Sequence, residues 1–201
     1  SNSNIINSTG ISLSDDGITI TYGSHNNTIF NSTGIGDHIG ISIGENTFDP
    51  SNNNTVLDSK GIGGVAGIFL GGNNHTTIRN NATGGNEAYH IASLNNSQII
   101  DCVYSYGGLN DVYYSDSLSR NNTFLNCSYV DEYIRGVDGE LIRKWYYQAY
   151  TNYTNGTAVA GANISAHNTT GDLQFTTLTN SSGLIDKQEI TEYINTGGTR
   201  S

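Results

Sequence analysis

Hydrophobic and polar positions in the first 130 residues repeat as one short phrase: an Asn-rich polar run, two apolar residues, an Asn or Asp, and a small residue. The six instances begin their apolar parts 24, 27, 22, 21 and 25 residues apart, at Ile5, Ile29, Val56, Ile78, Ile99 and Phe124. A period in the low twenties without helical spacing is typical of a solenoid in which each repeat forms one turn.

Most periods contain a second apolar segment between two phrases. In one of them, Ile39, Ile41 and Ile43 alternate with small residues, which is the period-two pattern of a half-buried strand. Gly, Asn and Ser fill the intervening positions, where a chain that turns sharply needs left-handed backbone conformations. Each turn is therefore predicted to hold two or three short strands, stacked in parallel about 4.8 Å apart.

These repeats resemble those of right-handed parallel β-helices. The resemblance rests on residues 26–29, 53–56, 10–13 and 67–70, with the phrases Asn-Asn-Thr-Ile/Val and Gly-Ile-x-Leu. They are similar to repeats of the carbohydrate-binding and sugar-hydrolase domain family, especially in archaeal surface proteins. The resemblance covers residues 1–135 and implies an all-β domain of about six coils. Lyases, hydrolases, adhesins and structural coils share this scaffold, so the resemblance leaves the activity open.

A column of amide and carboxylate side chains follows the apolar positions when the phrases are aligned. Its members are Asn7, Asn31, Asp58, Asn80, Asp101 and Asn126. Strand alternation predicts that this column points inward and that its side chains bond to one another along the stack. On this interpretation Asn7, Asn31 and Asn126 are poor glycan acceptors in spite of their sequons.

The two cysteines of the chain fall at the same position of adjacent coils. Cys102 and Cys127 occupy the column after the Asn/Asp column, so their Cα atoms should lie near 4.8 Å apart, towards the short end of the disulfide range. The pattern favours a Cys102–Cys127 disulfide in an exported protein and leaves a stacked pair of reduced thiols as the alternative.

N-glycosylation sequons are more frequent than chance. The chain contains 14, whereas random placement of its Asn, Ser and Thr gives about six. The excess predicts partial glycosylation of a secreted chain. The alternative is that Asn-Asn-Thr favours a turn followed by a strand and matches the sequon by coincidence. The predicted sites are Asn26, Asn53, Asn74, Asn95, Asn121, Asn152, Asn155, Asn163, Asn168 and Asn180. Coils about 4.8 Å apart would crowd a full row of glycans, so some sites should be empty.

The repeats stop after Arg135, and residues 136–201 are predicted to form a second domain. Strand candidates at 141–153, 158–167, 173–179 and 190–194 are joined by turns, which favours a small antiparallel β-sandwich. Residues 155–164 and 179–183 resemble the carboxypeptidase-regulatory-like family of immunoglobulin-like modules. Such modules usually have about seven strands, so the sandwich is truncated, completed by a neighbour, or capped by the β-helix.

Charge and composition exclude several functions. The net charge of −10 argues against nucleic-acid binding, and no apolar stretch is long enough to span a bilayer. The histidines show no pair at metal-ligand spacing and are interpreted as solvated loop residues, so neither a metal site nor a cofactor is predicted; they are His25, His38, His75, His90 and His167.

No catalytic residues are predicted. Asp15-Asp16-Gly17 resembles the paired-Asp element of polygalacturonase-like enzymes, but the Asn-Thr-Asp, Gly-His-Gly and Arg-Ile-Lys elements of that family are missing. Adjacent residues on a strand also face opposite ways, so Asp15 and Asp16 are expected to diverge.

Together these patterns favour a non-enzymatic, glycosylated protein of the cell surface. Because bare β-helix ends expose unpaired backbone groups, we expect self-assembly of a homo-oligomer or polymer into a layer, sheath or filament. The alternative is a carbohydrate-binding or adhesive module that contacts a polysaccharide through Tyr113 and Tyr114. A polysaccharide lyase or hydrolase is the third hypothesis.

Overall fold

A computed structural model describes residues 3–44 and 50–201, and the described chain is all-β without any helix. In chain order the strands are β1 (Asn4–Ile6), β2 (Thr9–Ser12), β3 (Ile18–Ile20), β4 (Thr28–Phe30), β5 (Thr33–Gly36), β6 (Ile39–Ile43), β7 (Thr55–Leu57), β8 (Lys60–Gly63), β9 (Ala66–Asn73), β10 (Thr76–Ile78), β11 (Asn81–Gly84), β12 (Glu87–Asn95), β13 (Gln98–Ile100), β14 (Tyr104–Gly107), β15 (Asn110–Tyr114), β16 (Asn122–Leu125), β17 (Glu132–Ile134), β18 (Glu140–Tyr147), β19 (Asn163–His167), β20 (Leu173–Leu178), β21 (Gln188–Thr196) and β22 (Thr199–Arg200).

Three sheets form a parallel β-solenoid of about six coils, which confirms the solenoid prediction. The first sheet has the order β1-β4-β7-β10-β13-β16-β18-β21-β22, the second β14-β11-β8-β5-β2, and the third β17-β15-β12-β9-β6-β3. Equivalent residues of successive coils pair in register, as in Ile5 with Ile29 and Ile29 with Val56. The period in the sequence is thus the length of one coil.

The solenoid core consists of stacked apolar columns. Ile41, Ile68 and Tyr89 pair in register on the third sheet and are fully buried. The second sheet lies close to the third, and its inward column is small: a Cβ on Gly34 would run into the carbonyl oxygen of Gly40. Glycine at this position therefore permits the close approach of the two sheets.

In the fourth coil, the alignment of the repeated phrase was wrong by one residue. Thr77, not Ile78, pairs with Val56 and Ile99 and occupies the buried apolar column. Thr77 is β-branched and occupies a position that Ile, Val or Phe occupies in other coils. Because threonine is polar, the alignment by hydropathy placed the apolar column of this coil at Ile78, one residue too late. Asn80 consequently belongs to the small-residue column, where it is buried, and Arg79 takes its predicted place.

The predicted inward direction of the Asn/Asp column is also wrong. Asn7, Asn31 and Asn126 are exposed, and every member of the corrected column has a φ between 46° and 55°. Alternation holds only while the backbone is extended, and these residues end their strands in the left-handed conformation. The ladder therefore runs along the outside: Asn31 Nδ2 donates to Asn7 Oδ1 at 2.8 Å, and Asn126 Nδ2 donates to Asp101 Oδ1 at 2.7 Å.

The small-residue column forms an inner ladder. The backbone N–H of Ser8 donates to Ser32 Oγ and that of Ser32 to Ser59 Oγ, both at 3.1 Å, and Ser59 N–H donates to Asn80 Oδ1 at 2.8 Å. In the last two coils the column contains the Cys102–Cys127 disulfide, with Cα atoms 4.7 Å apart, so this pairing is confirmed. Side chains of this column thus join the first four coils to one another and the last two coils to each other, in addition to the strand pairing.

The chain divides into two compact units, Ser1–Arg143 with Tyr193–Ser201, and Lys144–Glu192. The boundary predicted from the sequence lay instead at residue 135. Within Lys144–Glu192, β19 and β20 pair antiparallel, and the rings of Tyr147 and Phe175 lie 5.7 Å apart. The other two strand candidates belong to β18 and β21 of the first sheet, so the described residues show a two-stranded sheet where a sandwich was predicted.

Candidate functional site

One corner of the solenoid presents a row of exposed asparagines, here called the corner row. Its sequon members are Asn26, Asn53, Asn74 and Asn121. All four are exposed and have φ between 55° and 57°, because each ends a turn just before a strand of the first sheet. Backbone bonds between neighbouring corners, such as Asn53 N–H to Asn73 O at 3.0 Å, hold the row in register. A left-handed corner residue points its side chain outward, as a glycan acceptor requires.

Asn95 differs from the other predicted sites of this corner. Asn96, which has no sequon, takes the place in the corner row, and Asn121 Nδ2 donates to its Oδ1 at 2.7 Å. Asn95 itself is half-buried and accepts the Arg120 N–H at 3.1 Å. The hydroxyl of its sequon, on Ser97, is buried and donates to the Asn95 carbonyl at 3.1 Å.

The remaining predicted acceptors lie in the unit Lys144–Glu192 and are all exposed: Asn152, Asn155, Asn163, Asn168 and Asn180. Several of them also shape turns. Asn180 Oδ1 accepts the N–H groups of Ser182 and Leu184, and Asn168 Oδ1 accepts those of Thr170 and Asp172. Both interpretations of these sequons, glycan acceptor and turn former, are thus compatible with the structure.

An aromatic row lies on the outer face of the third sheet. It consists of Phe69, His90, Tyr113 and Tyr133, which pair in register on successive strands. Neighbouring ring centroids are 5.2, 5.0 and 5.9 Å apart, and the last two rings are inclined by only 16°. Tyr114, predicted to share this face, is fully buried instead. It follows Tyr113 on the strand and therefore points to the opposite side, into the core.

His90 is part of this row and is not the solvated loop residue that the sequence suggested. It is largely buried on β12, with Nδ1 3.7 Å from Glu87 Oε2. Burial lowers the pKa of His90, and nearby His38 lowers it further. Burial also raises the pKa of Glu87. No sequence pattern signals this pair, because residues three apart on a regular strand are expected to face opposite sides of the sheet.

Asp15, Asp16 and His38 form a second cluster, and the expectation that the two aspartates diverge is wrong. One ligand atom from each of the three residues lies within 4.8 Å of the other two. The aspartates occupy a bend between β2 and β3, so strand alternation does not apply to them. Asp16 is largely buried, and its Oδ1 accepts the Ile39 N–H at 3.1 Å.

A buried carboxylate at the last coil, Glu132, has several polar side-chain partners. Glu132 follows Val112 in an inward column, and its side chain is fully buried. Oε2 accepts the hydroxyls of Tyr129 and Tyr193 at 2.6 and 2.7 Å, and Oε1 accepts Asn195 Nδ2 at 2.7 Å. The guanidinium of Arg200 lies 3.1 Å from Oε1 and 4.4 Å above the ring of Tyr193.

The environment of Glu132 favours the ionised form. Burial alone raises the pKa of Glu132, but the hydrogen bonds from Tyr129, Asn195 and Tyr193 and the charge of Arg200 outweigh it, so the pKa lies below its usual range. A carboxylate with four side-chain donors is held as an anion and has few lone pairs left for a substrate proton. This cluster therefore joins residues 193–200 to the last coil.

No known protein family, curated protein or solved structure matches the chain. In residues 3–44 and 50–201 there is also no helical segment with the length and apolar character needed to cross a membrane.

Proposed function

We propose that this protein is a glycosylated, non-enzymatic structural component of the cell surface that assembles with copies of itself. The corner row carries the proposal, because it aligns exposed sequon asparagines along one edge of a rigid stack. The disulfide is compatible with export to an oxidising compartment. The location, the glycans and the assembly are all part of the proposal.

Self-assembly is supported by the strands at the ends of the sheets. β1, β2 and β3 are each terminal in their sheet, so the first coil presents three edges that have no further partner in the described residues. The second sheet also ends at β14 without a strand from the sixth coil, and Tyr104 and Tyr106 on β14 are exposed. Free edges of this kind accept strands from other chains.

The test is to purify the protein from its native source without denaturation, image it by cryo-electron microscopy and map its glycopeptides by mass spectrometry. We expect ordered filaments or sheets with glycans on the corner row. Asn121 should be more fully occupied than Asn53, because Asn53 has sequon neighbours about 4.8 Å away on both sides. In contrast, Asn96 separates Asn121 from Asn74. Half-buried Asn95 should be the least occupied.

Two results would count against different parts of this proposal. Dispersed monomers at high concentration would contradict assembly, whereas bare asparagines at all four corner-row sequons would contradict the surface-glycoprotein assignment. Equal occupancy of Asn53 and Asn121 would contradict the crowding argument alone.

The aromatic row favours a second candidate function, binding of a polysaccharide. Tyr113 and Tyr133 present neighbouring, nearly parallel rings, and Tyr133 is about half exposed. Sugar rings stack on such faces through their apolar C–H surfaces. On a glycan array we expect Tyr133→Ala to abolish binding and Tyr22→Ala, which alters an exposed tyrosine elsewhere on the solenoid, to preserve it. An array without any binding to the wild-type protein would rule out this candidate for the sugars tested.

A further inference from the structure

The corner of the third coil, residues 51–54, depends on two imidazoles. The N–H of Asn52 donates to His25 Nδ1 of the preceding coil, and the N–H of Asn54 donates to His75 Nδ1 of the following coil, both at 3.1 Å. Equivalent backbone N–H groups in other coils donate to acceptors that do not titrate. Asn27 N–H donates to Asn54 Oδ1, and Ser97 N–H donates to Asn122 Oδ1.

An imidazole nitrogen accepts a hydrogen bond only while it carries no proton. His75 Nε2 lies 2.9 Å from the Gly71 carbonyl oxygen, so this nitrogen carries the proton and donates, while Nδ1 accepts. In the neutral form, both ring nitrogens of His75 therefore have a hydrogen-bond partner. A proton on Nδ1 would place two donors, Nδ1–H and Asn54 N–H, against each other, and the bond would become a repulsion.

Burial of His75 opposes an added proton more strongly than the backbone groups around it favour one. The side chain is buried among Ser51, Asn54, Gly71 and Ser97, none of which titrates. Burial is the largest effect on the pKa of His75 and lowers it, and the charge of His25 lowers it further. Hydrogen bonds with the backbone of Gly71, Asn54 and Ser51 raise the pKa but do not outweigh burial. No carboxylate of the described residues acts on His75 to stabilise an imidazolium there.

We propose that His75 is a pH-sensitive latch on the corner of the third coil. The neutral imidazole of His75 holds the corner closed, and its protonation in mild acid opens the corner locally while the rest of the solenoid stays folded. The closed state is fully stabilised above the pKa of an unfolded histidine, near 6.5, and is weakened as the pH falls below that value. Opening frees the corner that contains Asn53 and precedes β7.

Amide hydrogen exchange measured by NMR between pH 7.5 and 5.0 tests the latch. After correction for intrinsic exchange, we expect the opening constant of Asn54 to rise by up to about thirty-fold between pH 7.5 and 5.0. The amide of Ser97, which donates to Asn122 Oδ1, should keep a constant opening constant. An opening constant at Asn54 that does not change with pH would overturn the proposal.

Residues at equivalent positions of other coils suggest a matched variant. Asn occupies the column of His75 in three other coils, at Asn27, Asn54 and Asn122, and it occupies the column of His25 at Asn52. His75→Asn should abolish the pH dependence at Asn54. His167→Asn, at an exposed histidine of β19, should preserve it.

A measurement on the wild-type protein covers the case in which a variant does not fold. Imidazole ¹⁵N shifts should show His75 protonated on Nε2 alone at pH 7.5. They should show its second protonation in the same pH range as the exchange at Asn54. Protonation of His75 without faster exchange at Asn54 would overturn the latch.

Discussion

Glu132→Gln is expected to lower the free energy of unfolding by about 3–5 kcal/mol, because the change leaves buried donors without their anion. The carboxylate accepts hydrogen bonds from Tyr129, Tyr193, Asn195 and Arg200. A glutamine has one oxygen for these donors, and its NH₂ group must face some of them. The loss should appear as a fall in melting temperature of roughly 10 °C.

The control for this variant is Asp138→Asn, which removes an exposed ion pair with Arg120 at 3.4 Å. It should change the stability by less than about 1 kcal/mol. Equal effects of the two substitutions in urea unfolding would show that the Glu132 cluster contributes no more than a surface charge.

The stabilisation by Glu132 should also depend on pH. Its pKa in the folded protein lies below the unfolded value, so the contribution is fully present above about pH 4.3 and is lost as the pH falls through the folded pKa. The difference between wild type and Glu132→Gln should therefore be constant near neutral pH and should narrow below about pH 4. A difference that widens in acid would contradict this assignment.

The solenoid could be predicted from the sequence because its signal is repeated. Period, β-branched residues and corner residues recur in every coil, so one irregular phrase such as Thr77-Ile78-Arg79 does not hide the pattern. The predicted direction of the Asn/Asp side chains was wrong because it depends on the φ angle at the strand end, which the composition of the phrase does not reveal. The sequence thus predicted which residues share a column, but not whether their side chains point inward or outward.

The Glu132 cluster could not be predicted for the opposite reason. Its residues occur once each and lie up to 68 positions apart, as between Glu132 and Arg200. A glutamate in an apolar core column would, from the sequence alone, indicate a wrong alignment. Only the partners from the end of the chain explain why this glutamate is buried. Similarly, the aromatic row combines Phe, His and Tyr, so it has no common residue type that marks a column.

Loss of the Cys102–Cys127 disulfide is expected to lower the free energy of unfolding by about 3 kcal/mol, since the bond closes a loop of 25 residues in the unfolded chain. The double variant Cys102→Ser, Cys127→Ser is well matched to this column, which contains Ser8, Ser32 and Ser59 in the first three coils. In the variant, the new hydroxyl at position 127 can accept the N–H of position 102, as Cys127 Sγ does at 3.3 Å in the wild-type protein. The variant therefore removes the covalent bond and keeps the ladder.

Urea unfolding with and without reductant separates the two contributions. Reductant should destabilise the wild-type protein by about the same 3 kcal/mol and leave the double-serine variant unchanged. Equal stability of oxidised wild type and the double-serine variant would mean that the cross-link adds nothing to the stacked coils. A variant much less stable than the reduced wild-type protein would instead show that the buried sulfur atoms stabilise the last two coils by packing, because both proteins then lack the cross-link.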